Sequence, residues 1–314
     1  MLFRSYFNVI TSIRYVAKTK AKIMILIDYL TNFQKKTTMT SSPSPSVAPP
    51  NLALLLSAVT INGLLIILGT LGNLLVLMVI LLNIRLATPS NLLLGNLALI
   101  DLLSLFVVAP GGIYKYLCRK GFCHVPEEFV VANRALSQFI APAAVSSLLS
   151  IAVDRILSIK YPFKYTSMMT KRRAVVIICL TWLLGACISA VFMVLNFVYI
   201  QPAYCTVIIL VTIILYLHIF LFALKKERQI ASLQISNVQR NTNFLHERKS
   251  TRTMAIILGV FCAAWIPALI FYSVVFPNNP RYFDIQTWIN IIYYLNASLN
   301  PYIYCVRSAN FARQ

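Results

Sequence analysis

Asn300-Pro301-Tyr302-Ile303-Tyr304 stands at the close of the last long apolar segment of the chain, an amide, a helix breaker and two phenols where lipid-compatible residues are expected. A proline inside a membrane-spanning helix frees a backbone carbonyl and forces a bend, and an adjacent Asn is expected to answer that carbonyl without water. The chain places a hinge inside a membrane.

The composition around that hinge agrees. Of 314 residues 59% are hydrophobic and only 11% charged, with a mean hydropathy of +0.76, which is too apolar for a soluble domain of this length. A spanning helix takes roughly 20 apolar residues. Seven stretches qualify: about 52–82, 90–113, 132–158, 174–199, 205–224, 253–276 and 286–306. The expected fold is therefore all-α, a seven-transmembrane helix bundle over 52–306, preceded by an extracellular tail over 1–51.

A net charge of +20 invites a nucleic-acid reading, but the distribution of the charge argues for topology instead. If the first span enters from outside, the even-numbered connections carry Lys115, Arg119, Lys120 and Arg281. The odd-numbered connections and the tail carry several times as many, including Lys171-Arg172-Arg173, Lys225-Lys226 and Arg248-Lys249. This skew puts the N-terminus outside and the C-terminus in the cytoplasm of a multi-pass membrane protein, with no nucleic-acid partner. Residues 1–38 are basic, and their run Ile23–Leu30 is too short and interrupted to span or to act as a signal. They are expected to be an upstream extension ahead of Met39, which opens a Ser- and Pro-rich tail.

Four of the seven cysteines, Cys179, Cys187, Cys262 and Cys305, fall within spans and read as small apolar residues. Cys118, Cys123 and Cys205 fall in connections where disulfides persist. The expected pair is Cys123 with Cys205, tying the second and third spans to the fifth; Cys118 with Cys123, closing a small local loop, is the alternative.

Ionisable groups at membrane depth cost about 2.5–3.5 kcal/mol each, which makes each a functional candidate. Asp101 sits in mid-span with no base within two turns on its own helix, and Asn73, Asn296 and Asn300 are amides at interior depth. Such a cluster is expected to hold water or a sodium ion, or else to be a packing knot. Asp154-Arg155 closes the third span, and Glu247 falls near the foot of the sixth. An Arg155–Glu247 ion pair would clamp those helices together, while Pro267 hinges the sixth. Phe261 and Trp265 lie one turn apart beside that proline, where they would relay changes from a pocket above. Trp182 reads as packing or sterol contact.

These residues, in order, resemble the rhodopsin-like, class A family of G-protein-coupled receptors. The match runs through Gly72-Asn73, Leu97-Ala98-Leu99-Ile100-Asp101, Asp154-Arg155-Ile156, Trp182, Trp265-Ile266-Pro267 and Asn300 to Tyr304. Phe311 resembles the aromatic of the family's short amphipathic helix, expected from 307 and truncated at 314. A fifth span without proline, a short link around Gln201-Pro202 and Val130 in place of the usual bridging cysteine resemble the melanocortin, adenosine, cannabinoid and lysophospholipid cluster. The resemblance implies a receptor, not an enzyme, that activates a heterotrimeric G protein by outward movement of helix six. It also implies that Tyr216 and Tyr304 meet Arg155 in the active state. Departures are Ile156, Ala264 and Ala144, the last weakening the sodium site.

Ser137 replaces the Asp that aminergic members use, and no Lys in the seventh span could hold retinal. Gly111, Val130 and Arg134 replace the acids of melanocortin receptors. The pocket is expected to include Arg134, Ser137, Trp265 and Tyr272. A guanidinium there suits a carboxylate or phosphate, unless Arg134 snorkels or pairs with Glu127 or Glu128. A transporter or channel would show repeats and a path of ionisable groups, and neither is found; a non-signalling receptor partner is the other alternative. The histidines, His124, His218 and His246, form no metal-ligand spacing.

Overall fold

The computed structural model describes residues 52–83, 86–161, 163–195, 200–232, 260, 263–268, 270–271 and 281–312, with side chains as far as Tyr302 in the last stretch. The elements in order are α1 (Leu52–Leu82), α2 (Pro89–Leu103), a π-helical turn (Ser104–Val108), α3 (Ala109–Arg119), α4 (Glu127–Lys160), α5 (Tyr165–Met168), α6 (Lys171–Leu195), α7 (Ile200–Ser232) and α8 (Tyr282–Ala312). Among the described residues five stretches are long and apolar enough to cross a membrane: α1, α2 with α3, α4, α6, and Ile200–Phe222 of α7. The seventh expected span lies in α8. Only short pieces of the sixth, including Trp265 and Pro267, are described.

Helix α4 is the axis of the packing. It touches α2, α3, α6 and α7 and buries Ile140, Ala143, Ala144, Val145, Ser147 and Ala152 along its length. Helices α1 and α6 are apolar on every side yet leave much of that surface uncovered, with Ile67 58%, Leu71 60%, Val176 58% and Leu183 58% exposed. A helix apolar all round and half uncovered suits lipid as its solvent.

Local chemistry sets several boundaries. Thr88 caps α2, its hydroxyl accepting from the Asn91 N–H at 3.3 Å, and Pro89 fills the first turn, where a missing N–H costs nothing. Pro110 would clash with the turn before it in a regular helix, and the wide Ser104–Val108 turn lies immediately N-terminal to α3, absorbing the misfit. In α8 the backbone stays helical past Pro301 as far as Ala312, one continuous element across the point where a separate short helix was expected to begin.

The disulfide differs from expectation. Cys118 is bonded to Cys123 around a turn in which Gly121 adopts φ +90°, a conformation that suits glycine. Helix α7 starts at Ile200, earlier than expected, and so carries Cys205 into the bundle, where it is buried beside Val145, Leu148, Ile209 and Trp265 as a free thiol. The Cys123–Cys205 link is therefore not formed. Burial pulls Cys205 away from the connection where it would have met a partner.

Gly185 marks a close crossing of α4 and α6. A Cβ there would lie 2.8 Å from the Phe139 carbonyl oxygen and 3.2 Å from the Ala143 methyl. Because the nearest obstacle is backbone, Gly185→Ala is expected to cost about 1–3 kcal/mol, measured as a lower thermal midpoint of the purified protein in lipid. An unchanged midpoint would show that the helices part freely here.

Candidate functional site

The carbonyl that Pro301 frees in α8 is answered from another helix. Ala297 lies four residues before Pro301, so its carbonyl is the one the proline leaves without a helical N–H. Asn73 of α1 answers it, its Nδ2 donating to Ala297 O at 3.0 Å and to Gly69 O at 2.9 Å. Asn300 donates to Asp101 Oδ2 at 2.8 Å, the two meeting as members of the expected interior cluster, and does not serve that carbonyl. The adjacent amide belongs to α2 and the distant one to the kink. Ser298 adds a third link, its hydroxyl facing the carbonyls of Tyr294 at 2.7 Å and Leu65 at 3.0 Å.

Glycines permit this closeness. A Cβ on Gly72 would sit 3.0 Å from Pro301 Cβ, and one on Gly69 would sit 2.5 Å from both Leu105 Cδ1 and Ser298 Oγ. Asn73, Asp101, Asn296 and Asn300 are all buried, as expected of an interior polar cluster. Ser104 donates to Ile100 O at 3.0 Å, and Ala144 supplies a methyl packed with Ile100 where a hydroxyl would add a donor.

A second amide hub was not anticipated. Asn96 of α2 donates to Ser147 of α4 at 3.1 Å and accepts from Trp182 Nε1 of α6 at 2.9 Å. Trp182 is thus a hydrogen-bond donor joining three helices, not only a packing residue. A second amide five residues before Asp101 in the same apolar run was the available signal. Trp265 is buried against Cys205, Ile209 and Val145 and meets Tyr293 of α8 edge-on at 5.3 Å, so it is a core aromatic rather than a lipid-facing one.

At the far end of α4 the carboxylate of Asp154 is buried, with 1% of its surface exposed. Ser90 of α2 donates to Oδ2 at 2.7 Å and Tyr165 of α5 to Oδ1 at 2.6 Å, while the Arg155 guanidinium stands 3.7 Å away. Burial first, and the bond to Asp154 second, hold the Tyr165 hydroxyl above its ordinary pKa, which keeps it a donor. Tyr165 had no sequence signal, since nothing in its spacing ties it to Asp154. Tyr216 is buried with Ala152 and Ile219. Glu247, Phe261, Tyr272 and the Tyr304 side chain lie outside the described residues, so the Arg155–Glu247 clamp and the Tyr304 contact do too.

At the disulfide end, Ser137 gives its hydroxyl proton to the Asn133 carbonyl at 2.7 Å, and Asn133 Nδ2 reaches the Val108 carbonyl of the π turn at 3.3 Å. The Asn133 side chain occupies the space that a Cβ on Gly111 would fill. Among the described residues the ion pairs are Lys120–Asp284 at 2.7 Å and Asp154–Arg155, so Arg134 does not pair with Glu127 or Glu128.

The family profile described as 7 transmembrane receptor (rhodopsin family) matches residues 72–208 and 195–304. Among similar proteins, the Alpha-1A adrenergic receptor of Oryzias latipes is 25% identical over 313 residues, covering 80% of this chain and 64% of that protein. Melanocortin receptor 5 of Mus musculus is 28% identical over 261 residues, 77% of this chain and 78% of that protein. Trace amine-associated receptor 13c of Danio rerio is 27% identical over 254 residues, 70% and 73%. The polar stations at Asn73, Asp101, Asp154-Arg155 and Asn300-Pro301 fall within the matched region, and the chain belongs to the rhodopsin family of seven-transmembrane receptors.

Proposed function

We propose that this protein is a G-protein-coupled receptor of the plasma membrane, with its Arg155 end in the cytoplasm and its disulfide end outside. A ligand bound outside moves the sixth span outward and opens a crevice in which a heterotrimeric G protein exchanges nucleotide. The observation that carries this reading is the Asp154 station. A buried carboxylate fixed by Ser90, Tyr165 and Arg155 holds a guanidinium at the mouth of the bundle. Such a charge is held by a few kcal/mol, a scale that a ligand's differential affinity can match. The basic runs at Lys171 and Lys225 lie at the same end and suit anionic headgroups or the G protein.

The chain spans 64% of the adrenergic relative's length, and the relatives' names cover amine and melanocortin receptors. An amine ligand is not favoured here, because Ser137 offers no charge and its proton is given to Asn133.

Asp154→Asn leaves the packing volume unchanged and removes the charge that restrains Arg155. Ligand-independent nucleotide exchange is expected to rise about fivefold or more, read as guanine-nucleotide loading on a panel of purified G proteins added to membranes holding the receptor. Exchange on none of them, by either the native chain or the variant, would overturn the proposal.

A further inference from the structure

Toward the disulfide end, α1, α3 and α8 meet around a cavity of about 20 Å³ lined by Asn62, Gly112, Tyr116, Thr287, Asn290 and Tyr294, among others. That volume and those amides and hydroxyls suit one or two waters. Packing beside it is loose. Among the described residues a Cβ on Gly112 would meet only the Tyr294 hydroxyl within 4 Å, at 3.8 Å, whereas farther along α1 and α8 the glycines Gly69 and Gly72 are pressed against Ser298 and Pro301. The two helices close on each other at the Pro301 end and leave room at the disulfide end.

One turn beyond the cavity, two contacts tie the end of α3 to the start of α8. The Arg119 guanidinium lies over the Phe283 ring, 3.8 Å from its centroid, and Lys120 Nζ stands 2.7 Å from Asp284 Oδ1. On α3 both cations follow Tyr116 by about a turn; on α8 both partners precede Thr287 by about a turn, and Thr287 gives its hydroxyl proton to the Phe283 carbonyl at 2.8 Å. The contacts therefore lie between the helix ends and the cavity.

The disulfide sets the place of one of them. Lys120 falls inside the ring closed by Cys118 and Cys123, its N–H bonded to the carbonyls of Tyr116 at 3.2 Å and Leu117 at 3.1 Å, and its ammonium 5.5 Å from the centre of the Tyr116 ring. Asp284 is 44% exposed, and exposed ion pairs and cation–π contacts are individually weak. Weak contacts across loose packing open by thermal motion, and removing one shifts the balance toward the open form. We propose that Arg119 and Lys120, set on Phe283 and Asp284 and held in register by the Cys118–Cys123 bond, form a latch that controls entry from water to the cavity between α1, α3 and α8.

The latch goes beyond the receptor reading, and no G protein or nucleotide enters its test, so either can fail without the other. The full chain carrying Asn62→Cys is placed in nanodiscs of zwitterionic phosphatidylcholine, and its labelling by a membrane-impermeant trimethylammonium methanethiosulfonate is timed, with the chain lacking that substitution as the background. Asn62 is 3% exposed, so labelling with the latch intact is expected to be slow. Asp284→Asn and Phe283→Leu should each speed it about threefold, and the two together about tenfold. Loss of the Asp284 charge would by itself repel the cationic reagent less favourably placed near Lys120, so a faster rate reports opening and not local charge. Cys118→Ser with Cys123→Ser frees Lys120 from its ring and should speed labelling about threefold.

Glu127→Gln removes an exposed acid at the same end that forms no ion pair among the described residues, and it should leave the rate unchanged. Thr287→Cys repeats the measurement from the α8 wall, and thermal midpoints confirm that each chain is folded. The latch is overturned if the Asp284→Asn/Phe283→Leu chain labels at the native rate from both reporter positions, or if Glu127→Gln speeds labelling as much. Its bracing by the disulfide is overturned if the serine pair labels at the native rate.

Discussion

Replacing Asn73 with Leu is expected to lower stability by about 2 kcal/mol, seen as a clear drop in thermal midpoint with the fold otherwise intact. Interhelical hydrogen bonds inside membranes contribute on average only about 0.6 kcal/mol, and on that figure the loss would be minor. The difference lies in the acceptor. Ala297 O is buried at a proline kink, and Asn73 is the donor that reaches it at 3.0 Å. Removing the amide leaves a buried carbonyl unpaired, which costs about 1–3 kcal/mol in its own right. A double-mutant cycle tests the cause. Pro301→Ala restores an N–H four residues after Ala297, so Asn73→Leu should cost markedly less in that background. Equal costs in both backgrounds would show that Asn73 does something other than repair the bend.

Gly69→Val is expected to be more damaging, by about 3 kcal/mol or beyond. The first added carbon would meet Leu105 Cδ1 and Ser298 Oγ at 2.5 Å and Ser298 Cβ at 2.9 Å, before the second branch of valine is placed. Three elements converge there, α1, the π turn and α8, so relief at one contact tightens another. Overpacking in a dense core costs about 1–3 kcal/mol, and Ser298 would also lose its approach to Leu65 O. Gly63→Val on the same helix supplies the control, because a Cβ there has nothing within 4 Å. It should fall within about 0.5 kcal/mol of the native protein. Equal effects at the two glycines would mean that helix propensity, not crowding, decides both.

Much of the architecture was legible because lipid imposes a coarse rule. Segments long enough to span must be apolar and helical, and the charge skew between connections then orders them. The polar stations were legible for the same reason, since an amide or carboxylate at membrane depth stands out: Asn73, Asp101, Asp154 and Asn300 were found that way. The meeting of Asn300 with Asp101 lies within that expected cluster, but the donor to the carbonyl that Pro301 frees was not legible. Asn300 adjoins the proline in sequence but points to α2, and Asn73, 224 positions before Ala297, supplies the missing bond. Adjacency along a helix differs from adjacency across it, because neighbouring residues project about 100° apart. Tyr165 was invisible because the short helix α5 turns it back under α4. Cys205 was misplaced because the start of α7 shifted by about a turn, enough to move a side chain from a connection into the packed interior.

The bond between Cys118 and Cys123 joins two points five residues apart on one connection. Reduction would open a six-residue ring and leave every helix-to-helix contact in place. The bundle described here is held by amides, glycines and apolar packing, with no covalent strap from that connection to the head of α7. Mild reductants should therefore leave the assembled helices intact.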